Sequence, residues 1–248
     1  MTRKITNTLA AIVLGGASAL SQAAPFVPTG TFGALTGFGG DPFGGDGIPT
    51  SQTMITTFDG LVGDTVTIAL AATQRFANPA LSNDGAGTYT AQAGENDGTP
   101  GSTTGTLGST WNFSYFIGID GDGDSTIADY GITLFYDLDP AADTDSAAMG
   151  TFDGFPLVTQ RQWGGSENAG FGYLASGIPG VVTPPSFASF NPFAAGEYSF
   201  AIVSQFNQAP EVVAMNVNVE ASPVPVPATL ALMALGLAAL GYSRRNAG

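Results

Sequence analysis

The run Asp120-Gly121-Asp122-Gly123-Asp124-Ser125 has residue types and a spacing that could bind a metal ion. Three carboxylates at alternate positions of a glycine-rich turn can converge on one hard cation, as at the start of a calcium loop. The rest of an EF-hand loop is missing, because Ser125 and Gly131 stand where glycine and a bidentate glutamate belong. Asp129 could supply a later ligand. The sequence predicts either a calcium site made by Asp120, Asp122, Asp124 and Asp129, or a plain acidic hairpin turn.

A second acidic run, from Asp137 to Asp145, follows the strand predicted over Tyr130–Leu138. The two acidic runs therefore flank opposite ends of one strand, which at ~3.3 Å per residue places them ~25 Å apart. We expect no site shared between them.

Two other groups of residues could act on a ligand. Trp163 could stack on a sugar ring or could instead cover one end of the core. Polar residues surround it in the sequence, at Gln160, Arg161, Gln162 and Glu167. Glu95 with Asp97, or Glu167 with another acid, could form a glycosidase pair. A chain with twenty acidic residues offers such pairs by number alone, so a carboxylate-dependent hydrolase is the least favoured function.

Cysteine and histidine are both absent from the 248 residues. Disulfides and thiol chemistry are thereby excluded, and so are a Ser-His-Asp triad, an imidazole acid–base catalyst and the usual zinc sites. We therefore expect that the protein is not an enzyme.

The elements that must position these residues are predicted to be β-strands. Apolar and aromatic residues alternate with polar or small ones over Trp111–Ile119 and Tyr130–Leu138, and Gly196–Gln205 with Glu211–Glu220 reads as a closing antiparallel pair. Thirty-five glycines and sixteen prolines disfavour long helices. The sequence predicts an all-β fold, an antiparallel β-sandwich of Ig-like or jelly-roll-like type, over residues 24–223.

The first 23 residues have the pattern of a secretory signal peptide. Arg3 and Lys4 precede an apolar segment, and small residues allow cleavage between Ala23 and Ala24. We expect a signal helix over residues 1–23, removed by signal peptidase.

The exported part is strongly acidic. It contains all twenty acidic residues of the chain and only two basic ones, Arg75 and Arg161. Such a surface repels nucleic acid and attracts divalent cations. Binding of DNA or RNA is excluded.

The tail, residues 224–248, has three parts in a fixed order. It begins with Val224-Pro225-Val226-Pro227-Ala228-Thr229, continues as an uncharged apolar run, and reaches Arg244-Arg245. The run to Gly241 is shorter than the ~20 residues that cross a bilayer. We predict a hydrophobic helix over 228–243 that anchors the chain in the membrane only temporarily, with the arginines left in the cytoplasm.

This tail resembles the PEP-CTERM sorting signal of exported proteins from Gram-negative bacteria that make extracellular polysaccharide. Val226 stands where glutamate is commonest in such tails. The resemblance implies processing by exosortase near the proline motif, followed by delivery to the cell surface or the medium.

We therefore expect an exosortase-sorted protein of the cell envelope or extracellular matrix with a structural or adhesive role, and exopolysaccharide is a candidate partner. A calcium- or carbohydrate-binding module is the alternative.

Overall fold

The computed structural model describes residues 24–61, 63–76, 78–96, 108–187 and 189–222, which form two β-sheets packed on each other. The first sheet has five strands, in the order β1 (Thr31–Gly33), β2 (Thr53–Asp59), β3 (Thr65–Gln74), β6 (Trp111–Asp120) and β9 (Gln162–Glu167). The second has seven, in the order β10 (Val182–Thr183), β8 (Gly150–Phe152), β7 (Ile132–Tyr136), β11 (Gly196–Ser204), β12 (Glu211–Glu220), β5 (Thr88–Gln92) and β4 (Ser82–Asn83). The described helices are short: the 3-10 helices Ile127–Tyr130 and Phe155–Leu157, and α1 (Gly172–Ser176). The predicted all-β class is confirmed.

The main core lies between the two sheets and follows from alternation in the central strands. Every second residue of β6, from Trp111 to Ile119, belongs to this core. Phe113 stacks on Phe200 of β11 with ring centroids 4.4 Å apart. Aromatic pairs of this kind add to the stabilisation that burial of their apolar area provides. The alternation in the sequence therefore identified the inward face of β6.

The seven-stranded sheet is mixed, which corrects the prediction of a purely antiparallel structure, whereas the strand pairs of the five-stranded sheet are antiparallel. The predicted closing pair is confirmed, because β11 and β12 are antiparallel over their whole length. On its other side, however, β12 pairs in parallel with β5. The reason is that the chain crosses from β3 in the first sheet to β4 at the edge of the second, β5 then turns back beside β4, and no local signal encodes its pairing with β12.

One alternative predicted that the segment after β6 is a hairpin turn, and this prediction is wrong. The segment leads from β6 in the first sheet to β7 in the second, passing through the 3-10 helix Ile127–Tyr130. A crossing between sheets needs contacts that hold it over the end of the core, and these contacts form the first site described below.

The outer face of the five-stranded sheet is covered by the chain between β1 and β2. Phe43 is buried there, and Phe38 packs edge-on against Phe116 of β6 with ring centroids 4.7 Å apart. A Cβ atom added to Gly164 of β9 would lie 1.8 Å from the carbonyl oxygen of Pro42. Glycine at 164 is therefore required for this segment, residues 34–52, to pack on β9; we call the segment the arm.

The predicted signal helix (residues 1–23) and tail helix (228–243) lie outside the described residues. Within the described ranges, no helix is long and apolar enough to span a membrane.

Candidate functional site

The crossing loop after β6 is folded around the guanidinium group of Arg161. This group donates hydrogen bonds to the backbone carbonyls of Gly121 (3.1 Å), Gly123 and Ser125 (3.1 Å). Three carbonyls at alternate positions thus face one cation. The cation is a side chain of the protein itself, delivered by the segment that enters β9.

Asp64 completes this arrangement from the turn between β2 and β3. Its Oδ1 accepts a hydrogen bond from Arg161 Nη2 at 2.8 Å, and its side chain is fully buried. It also accepts hydrogen bonds from the Ser125 hydroxyl and the Gly123 amide (3.1 Å). The hydrogen bond from Arg161, and then that from Ser125, lower the pKa of Asp64 to about 2. The pair is therefore ionised across the physiological pH range.

Tyr130 connects this ion pair to the core. Its hydroxyl lies 2.8 Å from the Ser125 hydroxyl and accepts a hydrogen bond from the Leu61 amide at 3.1 Å. Its ring packs against Phe58 and Phe206. The β2–β3 turn and the crossing loop are thus held together through one polar cluster, formed by Asp64, Ser125, Tyr130 and Arg161.

The four predicted calcium ligands are not brought together. Asp120, Asp122, Asp124 and Asp129 are all exposed. Asp129 accepts hydrogen bonds from the backbone amide (2.8 Å) and hydroxyl (3.0 Å) of Thr126, which caps the 3-10 helix. Across the described ranges, no three acidic side chains are placed to share a metal ion. Calcium binding stays a prediction, and the geometry of the loop is explained by Arg161.

Sequence reasoning missed the roles of Arg161 and Asp64. A signal was available, because the exported part has only two basic residues among twenty acids. A basic side chain that is rare in such an acidic chain is expected to form an ion pair with a carboxylate. Its partner, however, lies 97 positions away in the sequence, and no local pattern identifies it.

The second acidic run contains a buried carboxyl group. Asp137 follows β7 and is 1% exposed. Its Oδ1 accepts a hydrogen bond from the Asp139 amide at 2.8 Å, while its Oδ2 has no hydrogen-bond partner among the described residues. Burial raises the pKa of Asp137 to about 6. This run and the crossing loop flank opposite ends of β7, as predicted.

Trp163 lies at the rim of a cavity rather than in the core. Its side chain is 43% exposed, on the edge strand β9. The cavity has a volume of about 170 Å³ and opens between the edges of the two sheets. We call it the edge cavity; it is lined mainly by Tyr115, Phe152, Phe155, Val158, Trp163 and Val181. Among the polar residues near Trp163 in the sequence, Arg161 forms an ion pair with Asp64.

Glu167, the last residue of β9, does not line the edge cavity. Its carboxylate accepts a hydrogen bond from the Tyr173 hydroxyl of α1. Burial raises the pKa of Glu167, and the hydrogen bond from Tyr173 opposes this shift. Of the other pair considered for a glycosidase, Glu95 is exposed and Asp97 lies outside the described residues. The absence of enzyme activity stays a prediction.

Comparison with known proteins identifies the tail. Residues 223–245 match the family model of the PEP-CTERM protein-sorting motif. The match includes Val224 to Thr229 and the pair Arg244-Arg245, so Val226 does not break the motif. No curated protein and no solved structure shows significant similarity to the chain. The choice between an Ig-like and a jelly-roll-like topology therefore stays a prediction, as does signal cleavage between Ala23 and Ala24. The motif marks an exported protein that exosortase directs to the cell envelope or surface.

Proposed function

We propose that this protein is a structural or adhesive component of the cell envelope or extracellular matrix of a Gram-negative bacterium. The sorting motif at residues 223–245 is the observation that carries the proposal. The chain is anchored briefly through the apolar run at 228–243, cut by exosortase near the proline motif, and released to the surface or the matrix.

The chemistry of the exported part supports this role. Its side chains include no thiol and no imidazole, and its acidic residues greatly outnumber its basic ones. The edge cavity is lined by aromatic and aliphatic side chains, without a carboxylate in its wall. An acidic, hydrated surface on a rigid two-sheet core suits a protein that stays soluble within a polysaccharide matrix.

Mass spectrometry of the mature protein, recovered from cells and medium, tests the sorting step. We expect a C-terminus near residues 224–227 and an N-terminus at Ala24. An intact Arg244-Arg245 in the surface-exposed protein would show a permanent anchor and refute exosortase processing.

Two variants test whether processing depends on the arginine pair of the motif or is lost with any change in the tail. Replacing both Arg244 and Arg245 with alanine should leave the chain uncut, because the basic stop that positions the tail is lost. Asn246→Ala changes the same segment without changing its charge and should be processed normally. Equal processing of both variants would contradict the proposed role of the arginine pair.

Retention of the purified, labelled chain by extracellular polysaccharide from the producing strain tests the matrix role separately. We expect the chain to stay bound during washing with about 0.5 M salt, which screens weak attraction between surface charges. Release of the whole sample by buffer alone would refute an adhesive role while leaving the sorting step untouched.

A further inference from the structure

The edge cavity is large enough for one small chemical group and too small for a whole drug-sized ligand. A cavity of ~150 Å³ in another protein binds benzene, whereas pockets for whole drug-sized ligands measure ~300–1,000 Å³. At about 170 Å³ the edge cavity fits one compact group of about six heavy atoms, the number in benzene. The rest of any larger ligand must lie outside, past Trp163.

Four of the lining side chains are aromatic, and they come from different elements. Tyr115 belongs to β6, Phe152 to β8, Phe155 to a 3-10 helix and Trp163 to β9. The ring centroid of Tyr115 is 6.1 Å from that of Phe152 and 5.9 Å from that of Phe155. Several π-faces and edges are thus held in fixed positions around one small space. A sugar ring would bury hydroxyl groups here with few partners, which is unfavourable.

Two acidic residues, Glu167 and Asp153, lie close to the wall of the edge cavity. Glu167 bonds to Tyr173, whose ring centroid is 6.4 Å from that of Phe152. Asp153 lies in the sequence between two residues of the wall, Phe152 and Gly154. The nearest basic residue in sequence to Trp163 is Arg161, whose charge is balanced by Asp64. An anionic group is therefore disfavoured, and a cationic group is attracted.

We propose that the edge cavity binds an alkylated ammonium group, of the trimethylammonium type, through cation–π contacts with its aromatic walls. Such a group has the required size, carries the complementary charge and needs no hydrogen-bond donor or acceptor. Aromatic side chains attract quaternary ammonium ions because the ring faces carry negative electrostatic potential. A primary ammonium ion fits less well, because its three N–H donors would lose their water.

The test uses the full-length chain, titrated with choline chloride and followed by the two tryptophan indole N–H signals in ¹⁵N NMR spectra. The chain contains two tryptophans. Trp163 is exposed at the rim, while Trp111 is 1% exposed in the core and serves as an internal reference. We expect choline to shift the Trp163 signal saturably and leave the Trp111 signal in place.

Two neutral probes define the chemistry. The isostere 3,3-dimethylbutan-1-ol has the shape of choline without the charge, and we expect it to bind about fivefold more weakly or worse. Equal binding of the two would overturn the cation–π proposal. Binding of methyl glucoside in preference to choline would also overturn it, as would the absence of a choline-dependent shift.

Two variants locate the site. Trp163→Leu should weaken choline binding about tenfold, because it removes an aromatic wall, and Trp163→Phe should recover part of that loss. Since both variants remove the indole signal of Trp163, their binding of choline is followed by saturation transfer from the protein to the choline methyl protons. Phe193→Leu, at another exposed aromatic residue, is the control and should bind as the parent does. Unchanged binding in Trp163→Leu with a parent-like unfolding midpoint would overturn the assignment.

Discussion

Replacing Asp137 with asparagine is expected to stabilise the protein at neutral pH. The carboxyl group is buried, and its interactions with the Asp139 amide, the Thr144 hydroxyl and the Ser199 amide only partly offset the cost of burying its charge. Asparagine keeps an acceptor oxygen for the Asp139 amide, which lies 2.8 Å from Asp137 Oδ1. The substitution therefore removes the charge at little steric cost.

The magnitude follows from the shift in the pKa of Asp137. This pKa is about 6 in the folded state against an ordinary value of 3.8. Below the lower value both states hold the proton, so the stabilising contribution is fully present. As pH rises to about 6, the unfolded state releases the proton first and the folded state loses stability, by up to about 3 kcal/mol at ~1.4 kcal/mol per unit.

The assay is urea unfolding of the parent and of Asp137→Asn at several pH values from 4 to 7.5. The free energies of unfolding should nearly coincide at pH 4 and diverge by up to about 3 kcal/mol at pH 7.5, with the variant more stable. Asp143→Asn is the matched control, since it removes the same charge from an exposed position in the same run. A difference between parent and Asp137→Asn that does not change with pH would refute the reasoning.

Three further predictions concern the crossing loop and the arm. Arg161→Met should lower the thermal unfolding midpoint much more than Gln160→Met at the neighbouring exposed position does, because it removes the donor to three loop carbonyls and the cationic partner of a buried carboxylate. Gly164→Ala should also lower the midpoint and expose the arm to protease, since the new methyl group would overlap an arm carbonyl, whereas Gly39→Ala meets open space and should have little effect. If the exposed aspartates of the loop bind calcium, millimolar calcium should raise the midpoint and Asp122→Asn should reduce that rise.

Each of these predictions can fail clearly. Equal midpoints for Arg161→Met and Gln160→Met would show that the loop holds its shape without the guanidinium group. Parent-like protease resistance in Gly164→Ala would show that the arm does not pack on β9 as described. A midpoint that millimolar calcium leaves unchanged would end the calcium hypothesis for this loop.

Much of the fold could be predicted because the signals that specify it are local. Alternation over Trp111–Ile119 identified the inward face of β6, and the pair Gly196–Gln205 and Glu211–Glu220 predicted β11 and β12. The parallel pairing of β5 with β12 could not be predicted in this way. It depends on a crossover between sheets, for which a single sequence carries no short-range signal.

The candidate sites show the same division between features that local sequence signals predict and features that depend on long-range contacts. The sequence by itself determined the destination of the protein, since the sorting motif at residues 223–245 acts as a linear peptide whose residue order is the signal. It also determined which chemistry is absent, because a chain without cysteine or histidine cannot supply a thiol or an imidazole. Only the tertiary structure decided that Arg161 fills the crossing loop with Asp64 as partner, and that Trp163 borders a cavity. Both depend on contacts between residues far apart in the chain, and packing of the two sheets is what brings those residues together.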